Sequence, residues 1–175
     1  MKRKSSYEVR ARRFIEQFYS YIADCHMIGD FFEAVNAFNH AYHRKVVCSY
    51  GSTRVVFITS DYVIKMDLPC MDEDDTGFGN CASELQFYNY AEECGFEHLF
   101  AKIEQYTYNN MTFYIMPRIY GVGHMRGHAE NYLSGDEFEF VSEHCSDLHD
   151  ENFGMKNKHV VIIDYACNSI GCDWD

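Results

Sequence analysis

Lys65 and Glu84 are the first pair of residues whose types and spacing could do chemistry. Lys65 lies in the apolar run Val63-Ile64-Lys65-Met66, and burying an unpaired cation in such a run is costly. Glu84 follows 19 residues later, in a segment with helical periodicity, and could supply the negative charge. The pattern therefore predicts either a buried ion pair or a lysine at a strand edge with its ammonium group in water.

A second group of polar residues lies near the end of the chain and has the chemistry of a metal site. Asp164 ends the apolar run Val161-Ile162-Ile163, so that a buried strand delivers a carboxylate at its end. Asp164, the amide oxygen of Asn152 and phosphate oxygens would form the hard-oxygen environment that suits Mg²⁺. Asp147, five residues before Asn152, could orient an attacking hydroxyl group or accept its proton.

Residues 49–57 form a turn of small residues between two β-rich runs. Gly51, Ser52 and Thr53 at its centre would let main-chain N–H groups approach a phosphate closely. A plain hairpin turn would have the same composition, so the segment alone does not define a phosphate site.

The elements that must position these residues follow from the periodicity. Helical spacing predicts two helices before residue 44, the first stopped by Gly29 and the second opened by a capping box from Asp30 to Glu33. Short β-rich runs at 45–49, 55–59 and 62–66 are followed by an acidic loop at 72–80 and a helix at 80–94. The next segment, 100–116, is predicted to be a hairpin that turns at Asn109-Asn110. Residues 121–136 are predicted to be a loop with a short helix, and residues 137–145 fit helix or strand. The last predicted element is a buried strand at 160–164.

Five antiparallel strands with one inserted helix predict an α+β fold rather than an alternating, doubly wound sheet. We expect an N-terminal helical extension at 1–44 and a catalytic domain at 45–175, which divides into a lobe at 45–117 and a reduced lobe at 118–175.

The motifs in this order resemble the protein-kinase-like fold, in a reduced form similar to small kinases of phages and to truncated effector kinases of enteric pathogens. The resemblance covers residues 46–166. It implies a five-stranded N-lobe sheet with one helix, a truncated C-lobe, and ATP and Mg²⁺ as cofactors. By position it makes Gly51 the loop glycine, Lys65 the phosphate-binding lysine, Glu84 its ion-pair partner and Asp147 the catalytic aspartate. Asn152 and Asp164 match the metal ligands.

The same resemblance implies that residues 116–120 are the hinge that meets adenine. Met116 would lie behind the adenine ring, or simply fill the core. Pro117 has no N–H group, so the N–H of Arg118 is expected to serve the ring nitrogen. With Gly51, Ser52, Thr53 and Lys65, these residues complete the predicted nucleotide site.

The sequence also departs from the family pattern. Ser49 and Arg54 replace two loop glycines, Cys145-Ser146 replaces the His-Arg before the catalytic aspartate, and Tyr165-Ala166 replaces Phe-Gly. His149 stands where Ser/Thr protein kinases have a lysine, as in small-molecule kinases. Only 11 residues follow Asp164, so we expect neither an activation segment nor a peptide-binding platform.

Composition narrows the function classes. With 175 residues and 47% hydrophobic residues, the chain fits one folded domain, and its net charge of −12 argues against a nucleic-acid binder. Six basic residues fall within the first 13, as a face that complements the acidic body or as an arm that binds a phosphate or a partner. No run is long enough to span a membrane, and no export signal precedes the eight cysteines, so the cytoplasm is the expected compartment.

Three functions are compatible with these features. The first is an ATP-dependent kinase of Ser, Thr or Tyr in a protein, expected to be a host protein in the host cytoplasm if the phage or effector likeness holds. The second is a small-molecule kinase, favoured by His149. The third is a kinase-shaped module that binds a partner protein without turnover, favoured by the lost glycines. The sequence leaves the oligomeric state open.

Overall fold

A computed structural model describes residues 6–51, 53–68, 81–120, 132–146 and 149–170. Its described residues form two compact units. The first comprises Met1–Glu73 with Glu104–Arg118, and the second comprises Asp74–Ile103 with Ile119–Asp175. Within the described part of the chain, every helix is too short or too polar to cross a bilayer. The predicted acidic loop at 72–80 and most of the predicted loop at 121–136 lie outside the described residues.

The first unit contains a five-stranded antiparallel sheet with the strand order β1-β2-β3-β5-β4. The α+β class and the five strands of this sheet are confirmed. The turn between β4 and β5 is the predicted one, because Asn109 and Asn110 both adopt positive φ, at 47° and 67°. The strands are β1 (Val47–Tyr50), β2 (Arg54–Ile58), β3 (Tyr62–Asp67), β4 (Glu104–Tyr108) and β5 (Met111–Pro117).

Two N-terminal helices, α1 (Ser6–Ile22) and α2 (Ile28–Tyr42), pack on one face of this sheet. Phe18 of α1 meets Phe38 of α2 and Phe57 of β2 edge to face, at 5.1 and 5.0 Å between ring centroids. Burial of this helical stripe against the sheet supplies the main apolar core of the unit. The helical extension therefore braces the sheet.

The start of α2 differs from the prediction. Gly29 lies inside α2 rather than stopping α1, which ends earlier at Ile22. Asp30 is the third helical residue, and its carboxylate reaches back to accept hydrogen bonds from the main-chain N–H groups of His26 and Met27, at 3.0 and 2.9 Å. These two bonds lower the pKa of Asp30. Asp30 thus caps the helix from inside it, as the acidic member of a capping box does.

Two arginines of the basic N-terminal segment are used within the first unit. Arg10 Nε donates to Asp61 Oδ2 at 2.7 Å. The Arg12 guanidinium lies 4.8 Å from the ring centroid of Tyr106 and 3.9 Å from the Glu104 carboxylate. For these two residues, the contacts favour a face that complements acidic groups of the same unit. Residues 2–4 lie outside the described residues.

The second unit contains α3 (Cys81–Cys94), a 3₁₀ turn (Glu97–Leu99) and α4 (Gly135–His144), followed by a 3₁₀ turn (Asp150–Asn152) and the hairpin of β6 (Phe153–Lys156) and β7 (His159–Ile162). Residues 137–144 of the segment that fits helix or strand in the sequence are helical, whereas Cys145 is extended and follows the helix; Ser134 is the N-cap and Glu137 completes the capping box. The predicted strand at 160–164 is β7, which begins one residue earlier and ends two residues earlier than predicted. Strand β6 was not predicted from the sequence.

Aromatic residues fill the core of the second unit. Phe87 of α3 packs edge to face on Phe100, at 5.1 Å between centroids, and Phe100 packs in the same way on Tyr165, also at 5.1 Å. Ala101 N–H donates to the carbonyl of Ile162 at 2.8 Å, which holds this segment along β7. These contacts fix the chain just before and just after Asp164.

The boundaries predicted after residues 44 and 117 separate a helical extension, an N-lobe and a C-lobe. These boundaries stay a prediction. The compact units group the chain differently, because the helical extension shares its core with the sheet, and Phe87 of α3 packs against Tyr165 near the end of the chain.

Candidate active site

Lys65 occupies the face of the sheet opposite α1 and α2. Successive residues of a strand point to opposite faces, and Ile64 and Met66 belong to the core under the helices. Lys65 therefore points the other way, between Val56 of β2 and Tyr114 of β5, its partners across the strands. Its exposed fraction is only 5%. Lys65 is thus a buried cation in a central strand rather than a lysine at a strand edge.

The turn before β2 is closed by its own main chain. Gly51 N–H donates to the Arg54 carbonyl at 2.9 Å, and the Thr53 carbonyl accepts from Leu68 N–H at 2.9 Å. Gly51 is exposed, and a Cβ added there would meet no atom within 4 Å. Neither crowding nor a left-handed φ therefore requires glycine at this position. Ser52 lies outside the described residues.

The predicted hinge begins at the end of β5. Met116 is buried on the same face of the sheet as Lys65, because it alternates with Ile115 of the helix-covered core and pairs with Val63. The Arg118 main-chain N–H donates to the carbonyl of Asp61 at 3.1 Å. Its guanidinium donates to the Thr59 carbonyl at 2.6 Å. The adenine contact predicted for the Arg118 N–H would therefore require that its bond to Asp61 open.

Glu84 lies in the first turn of α3 and is fully buried, with an exposed fraction of 0%. Its Oε1 accepts a hydrogen bond from the main-chain N–H of Tyr165 at 3.2 Å. The structure thus connects the predicted ion-pair residue with the position directly after the predicted metal ligand Asp164. Within the second unit, a carboxyl group is thus held beside the end of the β6–β7 hairpin.

The hairpin brings Asn152 and Asp164 to the same end. Phe153 pairs with Ile162, and Ile163 N–H donates to the Asn152 carbonyl at 2.8 Å, so that residues 152 and 163 are main-chain partners just beyond the two strands. Asn152 is buried, and its own N–H donates to the His149 carbonyl at 2.9 Å. The residues that carry this amide and carboxylate, 12 positions apart in the sequence, are thus neighbours in the fold.

Asp147 lies outside the described residues, but its flanks are anchored. Cys145 forms a β-bridge with Asn168, and Ser146 N–H donates to the Cys167 carbonyl at 3.1 Å. Residues 145–146, which lead into the predicted catalytic loop, therefore lie beside residues 167–168, which follow Asp164.

The donor set of the second unit fits a hard cation. Asn152 and Asp164 offer amide and carboxylate oxygens, the atoms that Mg²⁺ binds, and phosphate oxygens and water commonly complete its octahedral shell. Among residues with described positions, no group of three or more His, Cys, Asp or Glu side chains could hold a metal ion by itself. A metal here would thus rely on the amide, the phosphates and water as well as on Asp164.

Burial sets the charge state of the side chain next to Asp164. Desolvation, with smaller contributions from nearby acidic groups including Glu84, raises the pKa of Tyr165 well above its usual value. The neutral phenol donates to the Ala101 carbonyl at 2.7 Å. Tyr165 is therefore a structural side chain, although it stands where the family has phenylalanine.

Two further polar residues belong to this region, Ser83 and Asn168, and no sequence motif marks either of them. Both are buried and hydrogen-bonded to each other, at 3.0 Å between Asn168 Nδ2 and Ser83 Oγ. The available signal was weak: Ser83 directly precedes Glu84, and Asn168 lies four residues after Asp164.

Comparison with known proteins gives matches in structure alone. No family model and no curated protein matches the chain. Among solved structures, the chain is similar to the Legionella pneumophila kinase Lpg2603 bound to IP6, with 12% identity and a TM-score of 0.47, over 76% of this chain and 51% of that one.

Two structures of WbdD are also similar. One is a complex with the kinase inhibitor LY294002 (15% identity, TM-score 0.35, 71% of this chain and 33% of that one). The other is described as a bifunctional kinase-methyltransferase (16% identity, TM-score 0.34, 70% of this chain and 31% of that one). The chain thus spans about half the length of the Legionella kinase and about a third of WbdD.

Proposed function

We propose that this protein is an ATP- and Mg²⁺-dependent phosphotransferase of the protein-kinase-like class. The observation that carries the proposal is the grouping of Glu84, Asn152 and Asp164 in the second unit. This grouping rests on two hydrogen bonds donated by main-chain N–H groups, from Tyr165 to the Glu84 side chain and from Ile163 to the Asn152 carbonyl. The two residues predicted to bind the metal, Asn152 and Asp164, are thereby held in the same region as Glu84, which lies 68 positions before Asn152 in the sequence.

In the proposed reaction, Asn152 and Asp164 hold the metal with phosphate oxygens. When bound, the metal neutralises charge on the phosphoryl group that is transferred. Asp164 and Asn152 stand at the end of a hairpin whose register is fixed, so their separation does not depend on a loose loop. Fixed donors need little reorganisation during the reaction, which is the main source of electrostatic catalysis.

Lys65 is assigned to the phosphates of ATP, and Gly51, Ser52 and Thr53 are assigned to cover them. A buried ammonium group attracts phosphate oxygens more strongly than an exposed one, because the local dielectric constant is low. Asp147 is assigned to the acceptor, where it would orient the hydroxyl group and accept its proton. ATP as the donor makes the cytoplasm the expected compartment.

The acceptor that we propose is a hydroxyl group of a protein, and a host protein if the chain comes from a phage or a secreted effector. This step rests on the resemblance to small protein kinases. His149, which stands in the catalytic loop as in small-molecule kinases, supports a small-molecule acceptor as the alternative.

A binding module without turnover is favoured by one specific observation. Two main-chain donors that a nucleotide would need are already used within the first unit, Gly51 N–H by the Arg54 carbonyl and Arg118 N–H by the Asp61 carbonyl. If ATP does not open these bonds, the chain would keep the kinase shape and act by sequestering a partner protein.

The test is transfer of labelled γ-phosphate from ATP in the presence of Mg²⁺ and a cell lysate. Wild type is compared with Lys65→Ala and Asp164→Ala, and with Lys156→Ala and Asp136→Ala as controls, which remove the same charges from exposed positions. A protein kinase labels protein bands with wild type and both controls only. Label in small molecules indicates the second function. No label, with a partner captured equally by all variants, indicates the binding module.

A further inference from the structure

We propose that Asn168 is a positioning residue, whose side-chain amide holds the first turn of α3 and the segment after Asp164 in one arrangement. Through this amide, Glu84 and Asp164 would be kept in place before any nucleotide or metal binds. The functional part of this inference rests on the proposed phosphotransfer, whereas its structural part can be measured without it.

The Asn168 amide nitrogen contacts both elements. Toward α3, Nδ2 donates to Ser83 Oγ at 3.0 Å and lies 3.4 Å from the Ser83 carbonyl oxygen. Toward its own segment, it lies 2.8 Å from the Tyr165 carbonyl oxygen and 3.2 Å from that of Ala166. An amide has two N–H groups, so four acceptors share them. The nitrogen is thus the point at which α3 and the segment meet.

The other atoms of this cluster are also satisfied. Asn168 Oδ1 accepts from Ile170 N–H at 3.0 Å, and Ser83 Oγ lies 2.9 Å from the Ala166 carbonyl oxygen. Asn168 and Ser83 have exposed fractions of 2% and 1%. A buried polar network with every member bonded is specific in geometry, because any other arrangement leaves a donor or acceptor without a partner.

The main chain of Tyr165 is held from both sides. Its N–H donates to Glu84 Oε1, and its carbonyl oxygen accepts from Asn168 Nδ2. A rotation about the main chain at residues 164 and 165, which would aim the Asp164 carboxylate elsewhere, must break one of these bonds. Asn168 also forms a β-bridge with Cys145, two residues before Asp147. One residue therefore touches the chain beside Glu84, Asp164 and the start of the catalytic loop.

The test compares Asn168→Ala with Asn39→Ala. Asn39 is the matched control, because its amide also bridges main-chain groups, donating to the Val46 carbonyl at 2.8 Å and accepting from Val46 N–H at 2.9 Å, but in the first unit. Ser83→Ala is the milder second variant if Asn168→Ala does not fold. Two quantities are measured: amide hydrogen exchange at Tyr165 without ligands, and the Mg²⁺ concentration that half-saturates binding of a non-hydrolysable ATP analogue.

We expect Asn168→Ala to speed exchange of the Tyr165 amide and to raise the half-saturating Mg²⁺ concentration, each about tenfold, as loss of one buried hydrogen bond implies. Asn39→Ala should lower the melting temperature without moving either quantity. Equal effects of the two variants on both quantities would overturn the inference.

The inference and the proposed function fail separately. If wild type binds no Mg²⁺ with the analogue, the proposed function is wrong, and Tyr165 exchange alone decides the positioning role. Faster exchange in Asn168→Ala than in Asn39→Ala then supports that role, and equal exchange refutes it.

Discussion

The carboxylate of Glu84 and the main-chain N–H of Tyr165 form a buried hydrogen bond of 3.2 Å across 81 residues of sequence. Glu84 therefore has a structural partner within the second unit, besides any role toward a lysine. An acceptor for this N–H is needed for folding, whereas a negative charge is needed only for the proposed chemistry. The two needs can be separated by substitution.

Glu84→Gln and Glu84→Ala should behave differently. Glutamine keeps an oxygen that can accept from Tyr165 N–H, so we expect a folded protein whose phosphotransfer is reduced. Alanine leaves that buried N–H without an acceptor and should destabilise the protein by about 1–3 kcal/mol. Denaturant unfolding and phosphotransfer rates, measured on both variants, check this. Equal stability of the two variants would show that the bond to Tyr165 contributes nothing.

Tyr165→Phe should destabilise the protein without changing its shape. The variant removes the phenol that donates to the Ala101 carbonyl, at an expected cost of about 1–3 kcal/mol. Because burial raises the pKa of Tyr165, the phenol contributes fully below pH 10, its usual pKa. Above pH 10 the unfolded chain loses the proton more readily than the folded one, so the advantage of wild type should shrink. Thermal unfolding of both proteins between pH 7 and 11 measures this, and a gap that widens above pH 10 would contradict it.

The sequence predicts the sheet of the first unit well because its signals are local. Each strand carries its own β-rich run, and a turn such as Asn109-Asn110 depends only on which residues tolerate positive φ. Strand β6 was missed because Gly154 lies within it and interrupts any β-rich run, although its turn, Asn157-Lys158, also has positive φ at both positions. Asn157 was the signal that could have revealed the hairpin.

The candidate site is predictable in chemical type but not in its connections. Lys65, Glu84, Asn152 and Asp164 stand out as charged or polar residues beside apolar runs. The bonds of Asn168 to Ser83 join residues 85 positions apart, and no periodicity in either segment encodes them. The hydrogen bond from Arg118 N–H to the Asp61 carbonyl could likewise not be predicted, because it depends on the register of β3 against β5.

Substitution by alanine should destabilise the protein at one glycine, Gly154, and have little effect on stability at another, Gly51. At Gly154, a Cβ would lie 2.5 Å from Ile119 Cγ2 and 3.2 Å from the Tyr120 carbonyl oxygen. We expect Gly154→Ala to cost about 1–3 kcal/mol through overpacking. At Gly51 a Cβ meets open space, so Gly51→Ala should change stability by less than about 0.5 kcal/mol. Urea unfolding distinguishes the two.

The Gly51 variant also tests the proposed nucleotide site. If the turn at Gly51 approaches phosphates, as proposed, Gly51→Ala should weaken ATP binding in calorimetry although the fold is unchanged. Unchanged affinity would remove Gly51 from the proposed site. For Gly154, the alanine substitution should cost less stability in an Ile119→Ala background than in wild type, because Ile119→Ala removes the nearer clash.

The contact between His98 and Glu137 predicts a dependence of stability on acid. His98 Nε2 lies 2.8 Å from Glu137 Oε1, and Ser134 N–H donates to Glu137 Oε2 at 2.6 Å. These bonds, with that of His98 the larger cause, lower the pKa of Glu137 from its usual 4.5. A lowered pKa means that the ionised carboxylate stabilises the fold above pH 4.5. This stabilisation is lost as the pH falls below 4.5 and through the folded-state pKa.

At pH 6 the melting temperature of wild type should therefore be higher than that of Glu137→Gln. The difference in melting temperature should disappear as the pH approaches about 3. Because both side chains are partly exposed, we expect a contribution below about 1 kcal/mol. Glu139→Gln, an exposed change on the same helix, is the control for net charge. A difference between wild type and Glu137→Gln that stays constant from pH 6 to 3, or that Glu139→Gln reproduces, would mean that the contact with His98 does not stabilise α4. If the difference closes for Glu137 alone, the carboxylate at the start of α4 acts through its two specific partners.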